Sequence, residues 1–437
     1  MKAISLAEAA ALVRSTDTLA IPLGPGQPPA FLHALGERDD FRDLAVFGAL
    51  LVDLFPLFTR KGVRLLSGFF GPVERILIAR GHSVTFIPAD FRRFAKLAHD
   101  MAPRVMATAV APPDANGFMS LSLHAGATVA ELLRCGRDPQ RILIAEVNRN
   151  LPRTLGLPPA FPHALHESEV DFVVESERPV IALPEAPPDA VERRIAEHAR
   201  AFIPDGATLQ TGIGGVPNLI AEMLAESPGG DYGIHTEMFT DGLMRLHQAG
   251  KVGNRKGLHD GVSIATFAMG TRALYDWLDG NEAVRFLPVD QVNEPGLIAR
   301  NRRMISINGA LSVDLLGQVV ADRIGGREHS GIGGHEDFVT GAAFSDGGRS
   351  LVCLPSTANT AGGRVSRIVA DFPVGACVTT PRHQVDVILT EYGAAELAGK
   401  TDAERTTALV AIAHPAVRDA LRAGVAELPL ISSEPGA

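Results

Sequence analysis

Seven short apolar runs recur along the chain with helix-patterned stretches between them: Val84 to Ile87, Val105 to Val110, Ile142 to Val147, Val170 to Val174, Val262 to Ala268, Leu351 to Leu354 and Val385 to Leu389. Several are continuous rather than alternating, the pattern of strands covered on both faces by helices. A chain built this way is expected to be α/β with largely parallel sheets. At 437 residues and 46% hydrophobic content it has material for a sizeable core and for more than one domain.

The proline-rich stretch Pro184-Glu185-Ala186-Pro187-Pro188 precedes Asp189, with Glu192 three residues on, a helix-start box ahead of Val191, Ile195 and Ala199. The domain boundary is placed there, giving residues 1–186 and 187–437. Asp17, Gly24, Gly26 and Pro29 each have a counterpart displaced by 188 positions, at Asp205, Gly212, Gly214 and Pro217. The match points to two similar α/β halves related by duplication.

The 41 Lys and Arg against 50 Asp and Glu give a net charge of −9, which argues against non-specific binding to nucleic acid or an anionic membrane. With 20 Phe but 1 Trp and 3 Tyr, the basic and aromatic interleaving of a single-strand binder is missing. Met1 to Ala10 meets Glu8 before any long apolar run and reads as a short helix, not a signal peptide. Leu44 to Phe58, broken by Asp53 and Pro56, is too short to span a bilayer and reads as buried core. Three dispersed cysteines (Cys135, Cys353, Cys377) offer no disulfide framework, and the cytoplasm is the expected location.

Thr208 to Ile220 reads as strand, glycine turn and helix, the turn being Gly212-Ile213-Gly214-Gly215-Val216-Pro217-Asn218. Such a turn presents free N–H groups to a phosphate, carboxylate or oxyanion, though it serves equally as a plain tight turn. A dinucleotide site is weighed because Glu237 follows Gly212 at near ribose-ligand spacing, but the third glycine is missing. In Gly233-Ile234-His235-Thr236-Glu237-Met238-Phe239-Thr240-Asp241, one acid sits between apolar neighbours at a strand end, ahead of a helix read as capped by Asp241. Composition alone makes Glu237 a solvated or ion-paired acid, and His235 a structural residue without a second histidine at metal spacing. Ser330 to Ala342 is richest: Gly331, Gly333 and Gly334 can expose successive N–H groups to negative charge, as an oxyanion hole requires. Cys353, in mid-strand, reads as a small buried hydrophobe.

These segments resemble family I coenzyme A transferases, specifically the 4-hydroxybutyrate CoA-transferase and acetyl-CoA hydrolase/transferase group. The likeness runs from Ala111-Pro112-Pro113-Asp114-Ala115-Asn116-Gly117 and Ala145 to Gly156, through His235-Thr236-Glu237-Met238 and Val292-Asn293-Glu294-Pro295. It continues through Ile305 to Leu315 and on to Thr390-Glu391-Tyr392-Gly393. It implies two open-sheet CoA-transferase domains, Glu237 as catalytic carboxylate, Asn293 orienting the reacting carbonyl, and Gly331, Gly333 and Gly334 donating to its oxygen. It also implies a CoA site lined by Gly212, Gly214, Gly215, Val216, Pro217 and Asn218, with Ala358 beside the CoA chain. CoA is then a substrate; no bound cofactor or metal is implied, and a homo-oligomer is. Two departures, the proline-rich loop Gly24 to Pro28 and His335 where Gln is expected, put the acyl pocket in question.

The implied activity is acyl-CoA:carboxylate CoA transfer by ping-pong chemistry through a glutamyl-CoA thioester. A short-chain acyl-CoA hydrolase and a non-catalytic CoA binder are the alternatives on the same scaffold, with a nicotinamide oxidoreductase further behind. Acetate, butyrate, 4-hydroxybutyrate and dicarboxylates are all open, and Arg149 or Arg153 would favour a second carboxylate if near the site.

Overall fold

The computed structural model describes residues 2–184, 187–212 and 214–425. Glu185 and Ala186, beside the boundary placed above, and Ile213 of the glycine turn lie outside the described residues. Eight parallel strands form the first sheet: β1 (Lys2–Ala3), β2 (Thr16–Ala20), β3 (Asp43–Gly48), β4 (Val63–Ser67), β5 (Val84–Phe86), β6 (Val105–Val110), β7 (Ile142–Asn148) and β8 (Phe172–Ser176), in the order β1-β8-β7-β6-β2-β3-β4-β5. All six residues of β6 are buried, as its unbroken apolar run demands of a strand covered on both faces.

The second sheet contains β9 (Thr208–Thr211) and β10 (Gly233–Ile234), then, beyond the short strands β11 (Ser263–Ala265) and β12 (Val284–Phe286), β13 (Met304–Gly309), β14 (Arg349–Cys353), β15 (Val387–Thr390) and β16 (Gly393–Glu396). Its order is β10-β9-β13-β14-β15-β16, parallel except for β16. The pair β11 and β12 runs on beyond β10 through a parallel bridge between His235 and Ile264. The protein is therefore α/β with a large parallel sheet, as the apolar runs predict. One run divides: Val262 to Ala268 forms β11 and, past Thr266, a two-residue strand Phe267–Ala268 paired with Met238–Phe239. That break turns the chain at the site described below.

The helix-start box forms as expected: Asp189 accepts from the N–H groups of Val191 and Glu192, and Glu192 accepts from Asp189, opening the helix Ala190–Arg200. One apolar cluster runs through both sheets, taking in Phe47, Phe91 and Phe94 with Phe239, Phe267 and Ile307. The sheets are thus packed against a common core, and the crevice between them is walled by both. Buried Glu146 on β7 accepts from the N–H groups of Ala30 and Phe31, tying the first turn of the helix Pro29–Gly36 to the sheet and so fixing the loop ahead of it. No helix among the described residues is long and apolar enough to cross a membrane.

Candidate active site

Glu237 lies just past β10, where the chain leaves the strand and crosses to the Met238–Phe239 pair. Ligands of α/β sheets bind at such carboxyl ends. Below it, buried His235 holds the carbonyl of Val292 through Nε2 at 2.7 Å, which fixes the neighbouring Asn293. Burial pushes the His235 imidazole down to about 4, so it is neutral and structural, as its spacing predicts.

Asn293 is fully buried, and its Nδ2 donates to Glu237 Oε2 at 2.6 Å and to Asp337 Oδ2 at 3.2 Å. The backbone of Gly334 also approaches Glu237 and favours its ionised form. A Cβ on Gly334 would stand 1.9 Å from Glu237 Oε2 and 2.3 Å from Asn293 Nδ2, so glycine is required for the backbone to come this close. The loop is braced from the first sheet's side: Phe70 N donates to Ser330 O at 2.5 Å and Phe91 N to Gly333 O at 2.9 Å.

Two cavities meet at this carboxylate. One, of about 50 Å³, is apolar and lined by Ile21, Phe47, Phe94 and Phe267 among others; it has room for a few heavy atoms, given that a water needs roughly 10–15 Å³ on this scale. The other, of about 300 Å³, is a cleft lined by Gln210, Gly212, Asn308 and the glycines 331, 333 and 334. Phe69, Glu237 and Gly333 line both. Glu237 therefore stands as a septum between an apolar pocket and a wider glycine-lined cleft.

Loss of hydration pushes the Glu237 carboxyl up to about 8, Asn293 opposing that rise and the nearby Asp337 adding to it. The same desolvation pushes Asp337 and Glu336 up to about 7. Removing water in this way is what an oxygen nucleophile needs once it is ionised. A reaction that uses the ionised carboxylate should lose kcat/KM on the acid side of about pH 8, near tenfold per pH unit. A rate profile flat from about pH 6 to 9 would contradict this assignment.

The residues named from sequence fall into three groups. Glu237, Asn293, Gly331, Gly333, Gly334 and Gly212 meet at the septum or its cleft. Gly214, Gly215 and Asn218 line a neighbouring cavity of about 520 Å³ that shares Met238 with the cleft, while Val216 and Pro217 are buried in the helix Gly215–Glu226. Ala358 sits on the hairpin Thr357–Thr360 and lines none of these cavities. His335 faces the glycine cleft and hydrogen-bonds Thr380 Oγ1 at 3.0 Å, so it does not shape the apolar pocket. Asp241 does not cap its helix: Thr240 is the cap residue, and the Asp241 carboxylate instead accepts from Thr271 N and Oγ1. Arg149 and Arg153 are ion-paired at the surface with Glu177 and Asp114, and neither lines these cavities. Cys353 is buried with its thiol pushed up to about 12, unsuited to nucleophilic attack.

Sequence reasoning missed Arg92, whose Nε lies 2.7 Å from Asp337 Oδ1, and the wall of Phe47, Phe69, Phe91 and Phe94. They come from the first sheet's half of the chain, from a strand, loops and a helix start, without a motif. The one local signal was Asp90-Phe91-Arg92-Arg93-Phe94, which interleaves charge with large apolar side chains.

Residues 270–425 match the acetyl-CoA hydrolase/transferase C-terminal domain. The chain is 36% identical over 425 residues to the succinyl-CoA:cyclohexane-1-carboxylate CoA transferase of Geobacter metallireducens, covering 96% of this chain and 94% of that one. It is 37% identical over 408 residues to the 4-hydroxybutyrate coenzyme A transferase of Clostridium kluyveri, covering 90% and 92%. The crystal structure of RipA from Yersinia pestis matches with a TM-score of 0.89 at 35% identity, covering 98% and 97%. Fold and sequence likeness together define an enzyme of the CoA-transferase class. The chain belongs to the acetyl-CoA hydrolase/transferase family.

Proposed function

We propose that Glu237 is the nucleophile of a ping-pong transfer of CoA between short-chain monocarboxylic acids. The ionised carboxylate adds to the thioester carbonyl of an acyl-CoA, and expulsion of CoA thiolate leaves an acyl-glutamyl anhydride. The thiolate then attacks the glutamyl carbonyl, releasing the first acid and forming glutamyl-CoA thioester. An acceptor carboxylate reverses both steps. CoA is a substrate throughout.

The observation that carries this reading is the position of Glu237 between the two cavities, with an acyl tail on the apolar side and pantetheine on the glycine side. The N–H groups of Gly331, Gly333 and Gly334 then serve the tetrahedral oxygen, and Asn293 orients the carboxylate. Gly212 borders the pantetheine path, while Gly214, Gly215 and Asn218 hold more distant parts of CoA in the adjoining cavity. No Arg or Lys lines the apolar pocket among the described residues, which favours a monocarboxylic acyl group over a dicarboxylic one.

We also propose that residues 1–186 and 187–437 are two similar domains related by duplication. Supporting this, the spatial order β5-β4-β3-β2-β6-β7-β8 is repeated by β12-β11-β10-β9-β13-β14-β15 with each strand at the same place in chain order. The repeat is not residue-perfect: Asp17 lies inside β2 but Asp205 precedes β9. A homo-oligomer in the cytoplasm is proposed with it, in keeping with three unpaired cysteines.

The test is CoA release from butyryl-CoA with and without added acetate. The transferase reading expects acetyl-CoA formation at least about 10²-fold faster than hydrolysis, because the aromatic wall excludes water. Equal rates with and without acetate would establish the hydrolase instead.

A further inference from the structure

We propose that Arg92 is a positioning residue for Glu237, acting through Asp337 and Asn293. This rests on Glu237 being the nucleophile and names what holds it in register. The contacts form an unbroken chain: an ion pair of Arg92 Nε with Asp337 Oδ1 at 2.7 Å, close but not aligned as a hydrogen bond, then hydrogen bonds from Asn293 Nδ2 to Asp337 Oδ2 at 3.2 Å and to Glu237 Oε2 at 2.6 Å. The two hydrogens of one amide nitrogen are thus divided between two carboxylates.

The other end of that amide is bare. Asn293 Oδ1 is buried and has no hydrogen-bond partner, so the side chain is oriented only by the carboxylates at its nitrogen. Asp337 has no exposed side-chain surface, and a buried carboxylate needs a countercharge to stay ionised. Arg92 supplies it, and it comes from the segment Phe91–Arg93 after the first sheet's β5, whereas Asp337, Asn293 and Glu237 follow the second sheet's strands. The nucleophile's alignment therefore depends on how the two sheets are docked.

The charged surroundings fix the expected sign. Arg92 also pairs with Asp90 and Glu294, both at 3.3 Å; Arg93 shares Asp90, and Glu336 beside Asp337 accepts from Thr380. Without the guanidinium, the charge on Asp337 is uncompensated and repels ionised Glu237, which raises the apparent pKa of the coupled pair. Removing the Asp337 charge acts in the opposite direction.

The experiment is a set of rate–pH profiles with butyryl-CoA for the wild type, Arg92→Met, Arg92→Lys, Asp337→Asn and the Arg92→Met/Asp337→Asn double variant, with mass analysis for CoA bound to Glu237. Arg92→Met should lower kcat about 10- to 100-fold with KM within about threefold, and move the acid limb up by about one pH unit. Arg92→Lys should restore most of the limb position, and Asp337→Asn should move it down. In the Asp337→Asn background, adding Arg92→Met should shift the limb by less than about 0.3 unit, because the carboxylate it acts through is gone. If Arg92→Met does not fold, Arg92→Lys should sit slightly above the wild-type limb and Asp337→Asn below it, which still tests the proposal. A limb unmoved by Arg92 replacement, or moved equally in both backgrounds, overturns the proposal while CoA bound to wild-type Glu237 leaves the nucleophile assignment standing. Absence of that adduct in a turning-over wild type would overturn the nucleophile assignment first.

Discussion

Glu237→Gln will fold and will not transfer CoA. The amide keeps the shape of the carboxylate and can still accept from Asn293, but it cannot form the anhydride, so kcat should fall on the order of 10⁴-fold or more. Glu237→Asp should lose on the order of 10²-fold, since one methylene withdraws the attacking oxygen by ~1 Å. The same position gives a stability signature. The folded protein holds the Glu237 proton up to about pH 8, well above the ordinary carboxyl value of 4.5, so the stability linked to that proton is complete below pH 4.5 and is lost as pH rises through about 8. Glutamine has no proton to lose. Glu237→Gln should therefore match the wild type in thermal unfolding near pH 4 and exceed it near pH 9, by up to a few kcal/mol. Turnover by Glu237→Gln, or equal melting at both pH values, would count against the assigned role and surroundings.

Gly334→Ala should be the next most damaging change. Its Cβ would fall inside contact distance of both Glu237 Oε2 and Asn293 Nδ2, so the loop must withdraw or the carboxylate must turn. Either movement removes an N–H donor from the reacting oxygen, a loss of about 10²- to 10³-fold in kcat. Gly296→Ala is the control: nothing lies within 4 Å of its Cβ, its φ is not in the left-handed region, and it should leave rate and stability nearly unchanged. Steady-state kinetics on the two variants, with circular dichroism to check folding, decides the matter; equal activity in both would mean that the close approach of Gly334 is incidental.

The strands were legible wherever apolar runs were unbroken. Val105 to Val110 is a strand over the whole predicted span, because parallel strands buried on both faces carry their signal in composition alone. Val262 to Ala268 was read as one strand and is two, because nothing apolar marks Thr266 as the turning point. In Leu44 to Phe58 the strand Asp43–Gly48 gives way to a short 3₁₀ turn at Pro56–Thr59, consistent with reading the segment as core but not as any one element.

At the site, Glu237, Asn293, Gly331, Gly333 and Gly334 were named from motif likeness; the fold brings Asn293, Gly333 and Gly334 against Glu237, and Gly331 lines the same cleft. Spacing in sequence could not have done this, since Glu237 and Asn293 are 56 positions apart. Arg92 was illegible for the same reason in stronger form: its partner Asp337 is in the other sheet's half of the chain, and nothing in either local sequence marks the pair. The apolar pocket, too, is assembled from five phenylalanines in four separate segments.

The most direct test of the account is intact-protein mass spectrometry after incubation with butyryl-CoA, followed by borohydride reduction and peptide mapping. A covalent CoA adduct is expected that disappears when acetate is added, with reduction confined to Glu237. Turnover with no adduct, or with the adduct on any other residue, would contradict it.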